Sequence, residues 1–287
     1  MAPRGAARTW NQPDPQSDLA LTANLSTYKD VDEPSYVDGA PHLKHFSVGG
    51  IYRAMVVEAI RSVGGDPHDI SVLDVGAGTG LASLPWLRRN VRLTAVDSSE
   101  SMLRTFRGRA APYGSNVRTV TAGALEYLET TPEKFDIVTH VSLLHHIPDY
   151  LALLGAAIAR VRSNGSLITF QDPLRYDRMP RSHHIADRAS YFAWRLGQGS
   201  YKRGFKTRWR RLRGVYSPAE AVDFDEYHVV RNGVDCEAIA QTLRENFATV
   251  RVVRYWSTYA PLLQRIGERL RLTSSFGVIA TGRTAAS

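Results

Sequence analysis

Residues 72 to 80 read VLDVGAGTG, an acid at Asp74 followed by Gly76, Gly78 and Gly80 at every second position. A second acid, Asp97, closes the alternating run VRLTAVD. Glycine reaches backbone conformations that a residue with a Cβ cannot, so the first stretch is a tight, open loop suited to cradling a ligand. A phosphate loop needs Lys then Ser or Thr after its last glycine, but Leu81 and Ala82 stand there. A dinucleotide fingerprint counted from Gly76 needs glycine at its sixth position, which is Leu81. Asp74 would repel a pyrophosphate, yet it can orient a cationic or amino-bearing group directly or through water. Asp97 stands about twenty residues beyond the loop, where doubly wound folds place the carboxylate that takes ribose hydroxyls. These residues ask for a positively charged, amino-bearing nucleoside without phosphate.

The elements that must hold these groups are legible from periodicity. Val72, Leu73 and Val75 are strand-like, and further strands are expected at about 92–96, 117–121, 135–139 and 166–170. HFSVGGIYRAMVVEAIRSVGG reads as a helix ending at Gly64, and LASLPWLRRN as a helix directly after the glycine loop, with Leu81, Leu84 and Leu87 on one side. VDCEAIAQTLRENF is a helix followed by strands in TVRVVRYWST and FGVIATGR. Alternation of this kind implies an α/β fold with a parallel sheet.

An amino acid joined to a nucleoside through a sulfonium is S-adenosylmethionine, and the sequence resembles the class I methyltransferase family over residues 46–170 and 234–283. The resemblance implies a doubly wound, mostly parallel, seven-stranded Rossmann-like sheet with its last strand antiparallel at the edge. It also implies a cofactor set. Asp74, Gly76, Ala77 and Gly78 match the first motif, and Asp97 with Ser98 matches the ribose site. Met102 faces the adenine, His140 stands at the outlet of strand four beside the methionine end, and Tyr36 comes from the arm before the core. Many members carry Asp before Ala after strand three, whereas this chain has Gly123 before Ala124. Adenine is then held by backbone and packing.

The expected organisation is a disordered tail at 1–18, an arm over the active site at 19–45, the core at 46–170 and 234–283, and a substrate lid insertion at 171–233. A single cysteine, Cys236, excludes an internal disulfide and any thiolate cluster. No apolar run approaches the roughly twenty residues that span a bilayer, and the N-terminal stretch lacks the apolar core of a secretory signal. The expectation is a soluble, cytoplasmic protein, with a homodimer allowed. Within the insertion, YKRGFKTRWRRLRG at 201–214 carries seven cations and no acid, against a net charge of +8 for the chain. A solvated amphipathic helix, a lid meeting an anionic substrate, and a surface for membrane or nucleic acid are its alternative readings. Arginine is favoured along the whole chain, which weighs against nucleic acid.

Methyl transfer to a hydroxyl needs alignment and a base, and histidine suits the second task. His145 and His146 in SLLHHIPD follow strand four at the edge where ligands bind. LHHIPD also recurs in members with unrelated substrates, so packing stands beside catalysis for this pair. His228 in DEYHVVRNG, beside Asp225 and Glu226, is a further candidate base. His42 and His45 in the arm are open to binding or packing. His183 and His184 are adjacent and cannot share a helix face, so no metal site is expected. The expected function is S-adenosylmethionine-dependent O-methylation of a small molecule such as a secondary metabolite, sugar or lipid. The alternatives are an RNA methyltransferase using 201–214, or a protein that keeps the pocket without methylating.

Overall fold

The computed structural model describes residues 40–197 and 232–284, with side chains as far as Trp194 in the first stretch. Tyr36, His228 and the 201–214 segment lie outside the described residues. The chain begins with a short helix α1 (Pro41–Lys44) and the long helix α2 (Phe46–Val63), which ends at Gly64 in a left-handed conformation. Then follow β1 (Ser71–Val75), α3 (Leu84–Leu87), β2 (Arg92–Asp97), α4 (Glu100–Ala110), β3 (Val117–Thr121) and α5 (Ala124–Thr130). The second half holds β4 (Phe135–Val141), α6 (Tyr150–Ala159), β5 (Val161–Pro173), α7 (Arg181–Gly197), α8 (Cys236–Arg244), β6 (Phe247–Tyr255), α9 (Pro261–Arg269) and β7 (Ser275–Arg283).

The seven strands run in the order β3-β2-β1-β4-β5-β7-β6, with β7 antiparallel to both of its neighbours. Each face is covered by helices, as expected of a mostly parallel sheet. On one face Val48, Tyr52, Met55, Val56 and Ala59 of α2 join Trp86, Leu103 and Phe106 against β1, β2 and β5. On the other, Leu128, Leu153, Ile158, Ile239 and Leu243 of α5, α6 and α8 pack on Leu73, Val138 and Leu167. Spacings of three and four residues place α2's apolar side chains on one stripe.

Three features depart from the sequence reading. β7 is antiparallel but not at the edge; β6 is outermost. The reason lies in their side chains: Phe276 to Ala280 are buried on both faces, whereas β6 carries exposed Arg251 and Arg254 on a margin that can meet water. The helix after the glycine loop is one turn, α3, which begins four residues beyond Gly80 and stops at Leu87; the turn that follows ends on Asn90, a residue with φ of 59°. A helix α9 also stands between β6 and β7, in a stretch assigned no element from sequence. The ends of the insertion are tied together by a parallel bridge between Leu174 and Val234, with the Val234 amide donating to the Pro173 carbonyl at 2.9 Å.

Candidate active site

The ends of β1, β2, β4 and β5 meet at one edge of the sheet, and the predicted cofactor residues gather there. Asp74, the fourth residue of β1, is 1% exposed and accepts a 2.5 Å hydrogen bond from Ser83 Oγ. Burial pushes its carboxyl up to about 7; the Ser83 hydroxyl opposes this and the Asp97 charge adds to it. The buried acid therefore lacks the positive partner that would hold it ionised.

The glycine loop is built by three different needs. Gly76 and Gly80 have φ of 73° and 82°. A Cβ on Gly76 would stand 2.8 Å from Leu143, and one on Gly80 would stand 2.5 Å from Phe106. These two glycines let the fold close over the loop. The amides of Gly76 and Ala77 donate to the Val96 carbonyl at 2.8 and 3.0 Å, and the amide of Gly78 donates to Asp97 Oδ2 at 2.8 Å. These three amides thus tie β1 to β2. Gly78, with φ of 54°, makes the turn itself.

Asp97 ends β2. Its other oxygen accepts from the Ser99 amide at 2.8 Å, and partial burial raises its pKa against the two amides that lower it. A carboxylate has about four acceptor directions, so two remain for hydroxyl donors. Ser98 follows on the half-buried turn, Ser99 caps α4, and Met102 is buried in the first turn of that helix. Across β3, Gly123 caps α5, its amide donating to Glu126 Oε2 at 3.3 Å with Ala124 next in line. An added Cβ at Gly123 would make an ordinary 3.4 Å contact, so space alone does not require glycine there.

The opposite side of the site is built by β4 and β5. His140 is fully buried at the end of β4, neither ring nitrogen has a hydrogen-bond partner, and burial depresses its pKa to about 4 despite the Asp172 charge. Thr79 Oγ1 in the glycine loop is likewise buried without a partner. Each such atom costs roughly 1–3 kcal/mol unless something else supplies a hydrogen bond. Ser142 leaves β4 with φ of 57°, and a 3-10 turn then brings His145 and His146 back over the strand ends.

Asp172, absent from the sequence reading, is the residue that holds His145. It is fully buried in β5, and its Oδ1 accepts from both the His145 amide at 3.1 Å and His145 Nδ1 at 2.9 Å. Its Oδ2 accepts from Thr169 Oγ1 at 3.1 Å. With an ionised Asp172 as partner, Nδ1 of His145 carries the ring proton and Nε2 is left as an acceptor. The His146 ring lies 4.1 Å from that of His145, centroid to centroid. From the arm, His42 on α1 is 8% exposed with Nδ1 unpartnered. Burial, and secondarily the nearby His145, lower its pKa to about 3. His45 is anchored elsewhere, its Nε2 2.6 Å from the Thr258 carbonyl. His183 pairs with Thr273, and among the described residues no group of three or more His, Cys, Asp or Glu is placed to hold a metal. Nor is any described helix long and apolar enough to cross a membrane.

Residues 72–165 match a protein family described as a methyltransferase domain. The chain is 29% identical over 192 residues to the ubiquinone biosynthesis O-methyltransferase of Pseudomonas entomophila, spanning 61% of this chain and 78% of that protein. Among solved structures, it is similar in fold to the 1,6-didemethyltoxoflavin-N1-methyltransferase of Burkholderia thailandensis, with a TM-score of 0.55 and 19% identity over 99% of this chain and 95% of that one. The geranyl diphosphate C-methyltransferase of Streptomyces coelicolor has a TM-score of 0.55 and 12% identity over 94% and 100% of the two chains. The motif residues, the strand order and these likenesses agree: residues 72–165 form a methyltransferase domain of the class I, S-adenosylmethionine-dependent family.

Proposed function

We propose that the chain methylates a hydroxyl of a small molecule and that His145, held by Asp172, removes the proton. The observation that carries this reading is the 2.9 Å contact of His145 Nδ1 with a fully buried carboxylate at the outlets of β4 and β5. S-adenosylmethionine, when bound, supplies a methyl group already activated on a cationic sulfur. The residues present suit it. Asp74 is a buried acid short of a cation, Asp97 keeps two acceptor directions, and His140 and Thr79 hold polar atoms without partners. Asp74 would orient the amino group, Asp97 the ribose hydroxyls, and Met102, Gly123 and Ala124 would border the adenine.

The chemical work left to the protein is alignment and proton removal. Asp172 fixes the His145 tautomer and stabilises the imidazolium that forms when Nε2 takes a hydroxyl proton. Likeness to methyltransferases acting at nitrogen and carbon leaves the acceptor atom to this pair and to the relatives named for O-methylation. The seven cations of 201–214 fit an acceptor that carries negative charge. Cytoplasmic placement and a homodimer belong to the same reading, the first supported by the single, buried Cys236.

The test is S-adenosylhomocysteine formation against a panel of phenols, catechols, sugars and hydroxylated lipids. His145→Ala should lower turnover about 100-fold with cofactor affinity intact. An unchanged turnover refutes this base, and a loss in His228→Ala alone places the base in the insertion.

A further inference from the structure

The side chain of Asp172 lies on the face that an unbroken β5 would deny it. Side chains alternate along a strand, so residues three apart point to opposite sides. β5 obeys this through Leu167 on the α6 face and Ile168 and Phe170 on the α2 face. Yet Thr169 Oγ1 and Asp172 Oδ2 are 3.1 Å apart on one side. The register explains it: Phe170 pairs with Gly277 and Asp172 with the next residue, Phe276, so Gln171 is an extra residue in a bulge. Gln171 has φ of 68°, a left-handed conformation uncommon outside glycine.

A set of side chains holds that conformation. The Gln171 amide donates to the Tyr255 hydroxyl oxygen at 3.0 Å, and Gln171 Nε2 donates to Ser257 Oγ at 2.8 Å. The Tyr255 hydroxyl proton is shared between Gln171 Oε1 at 3.2 Å and the Phe276 carbonyl at 3.3 Å. The Tyr255 ring stacks on Phe170, centroids 5.0 Å apart. Across the neighbouring strand the left-handed Ser142 donates its amide to the Phe170 carbonyl at 2.7 Å, so both strand outlets are bent at the same level.

We propose that Gln171 and Tyr255 are positioning residues of the reaction: they hold the β5 bulge that turns Asp172 onto the face of His145. This rests on the reading of His145 and Asp172 as the proton-removing pair. Straightening residue 171 into regular strand would rotate Asp172 to the α2 face and leave Nδ1 of His145 without its carboxylate.

Proton NMR of the full chain tests it. The Nδ1–H that His145 shares with Asp172 gives an exchange-protected downfield resonance, assigned by its loss in His145→Gln and Asp172→Asn. Gln171→Val, a β-branched residue hostile to positive φ, should abolish the resonance, whereas Gln171→Gly, which adopts that φ freely, should retain it. Tyr255→Phe should weaken it at least twofold. S-adenosylmethionine affinity should stay within about threefold in all three, since Asp74 and Asp97 are untouched. A parental resonance in Gln171→Val, or its loss in Gln171→Gly, overturns the proposal. If Gln171→Val fails to fold, a parental resonance in Tyr255→Phe overturns it instead, and a weakened one sustains it. Failure of the underlying reading looks different: parental turnover in Asp172→Asn removes the base but leaves these resonance outcomes to decide what the bulge does.

Discussion

If Asp74 orients the amino group as proposed, cofactor binding should be a proton-releasing event. Its carboxyl is raised to about 7 chiefly by burial, so near neutrality the free protein is divided between the neutral and ionised forms. A ligand that places a positive group beside Asp74 binds the ionised form. At one pH unit below the pKa only about one tenth of the sites are ionised, and at one unit above about nine tenths are. Affinity for S-adenosylmethionine should therefore be about tenfold weaker at pH 6 than at pH 8 through Asp74 alone. Calorimetry in buffers of differing ionisation enthalpy should show protons released below pH 7. In Asp74→Asn this component disappears and only the ligand's own titration remains. Stability without ligand moves the other way. Because the folded pKa lies above the unfolded 3.8, Asp74's contribution is fully present at low pH and is lost as pH rises through about 7. A shift of about three units corresponds to at most ~4 kcal/mol, offset in the variant by a weaker bond to Ser83. Thermal melts should find Asp74→Asn gaining on the parent between pH 5 and pH 8. A parent-minus-variant difference flat over that range, together with equal pH dependence of binding, would falsify the placement of a neutral, cation-seeking Asp74.

Asp97 and His140 should respond to mutation and to acid in separable ways. Asp97→Ala removes acceptors for hydroxyl donors and leaves the Gly78 amide unpaired, so cofactor affinity should fall by about 2–3 kcal/mol; calorimetry showing parental affinity would remove Asp97 from the site. His140 is neutral when folded, with a pKa near 4 against 6.5 for the ordinary group. Protons then favour the unfolded chain as pH falls below about 6.5, and stability is lost down to about pH 4, by roughly 3 kcal/mol for this residue. Denaturant midpoints of His140→Phe should decline less steeply over that window, and an identical slope to the parent's would contradict the buried neutral imidazole.

What the sequence disclosed and what it concealed divide along the range of the interactions. β1 to β4 are legible because alternation and glycine placement are local properties, and the structure reproduces their expected spans within a residue or two. Asp74 and Asp97 are legible for the same reason, each ending a strand beside a turn. The glycines were legible in type but not wholly in purpose: Gly76 and Gly80 answer to Leu143 and Phe106, which stand 67 and 26 residues away and which no local pattern connects to them. The order of β6 and β7 follows from which strand has two buried faces, and that is a property of the finished sheet. His145 offers two readings from sequence because its partner Asp172 stands 27 residues downstream, and the QDP triplet that ends β5 looks like an unremarkable strand terminus. Alternation alone would even send Asp172 to the wrong face. Only the register against β7 reveals the extra residue, and only Tyr255, 84 residues from Gln171, explains why the chain tolerates it. The least legible part of the site is therefore the part where a local rule is broken and long-range contacts hold the exception in place.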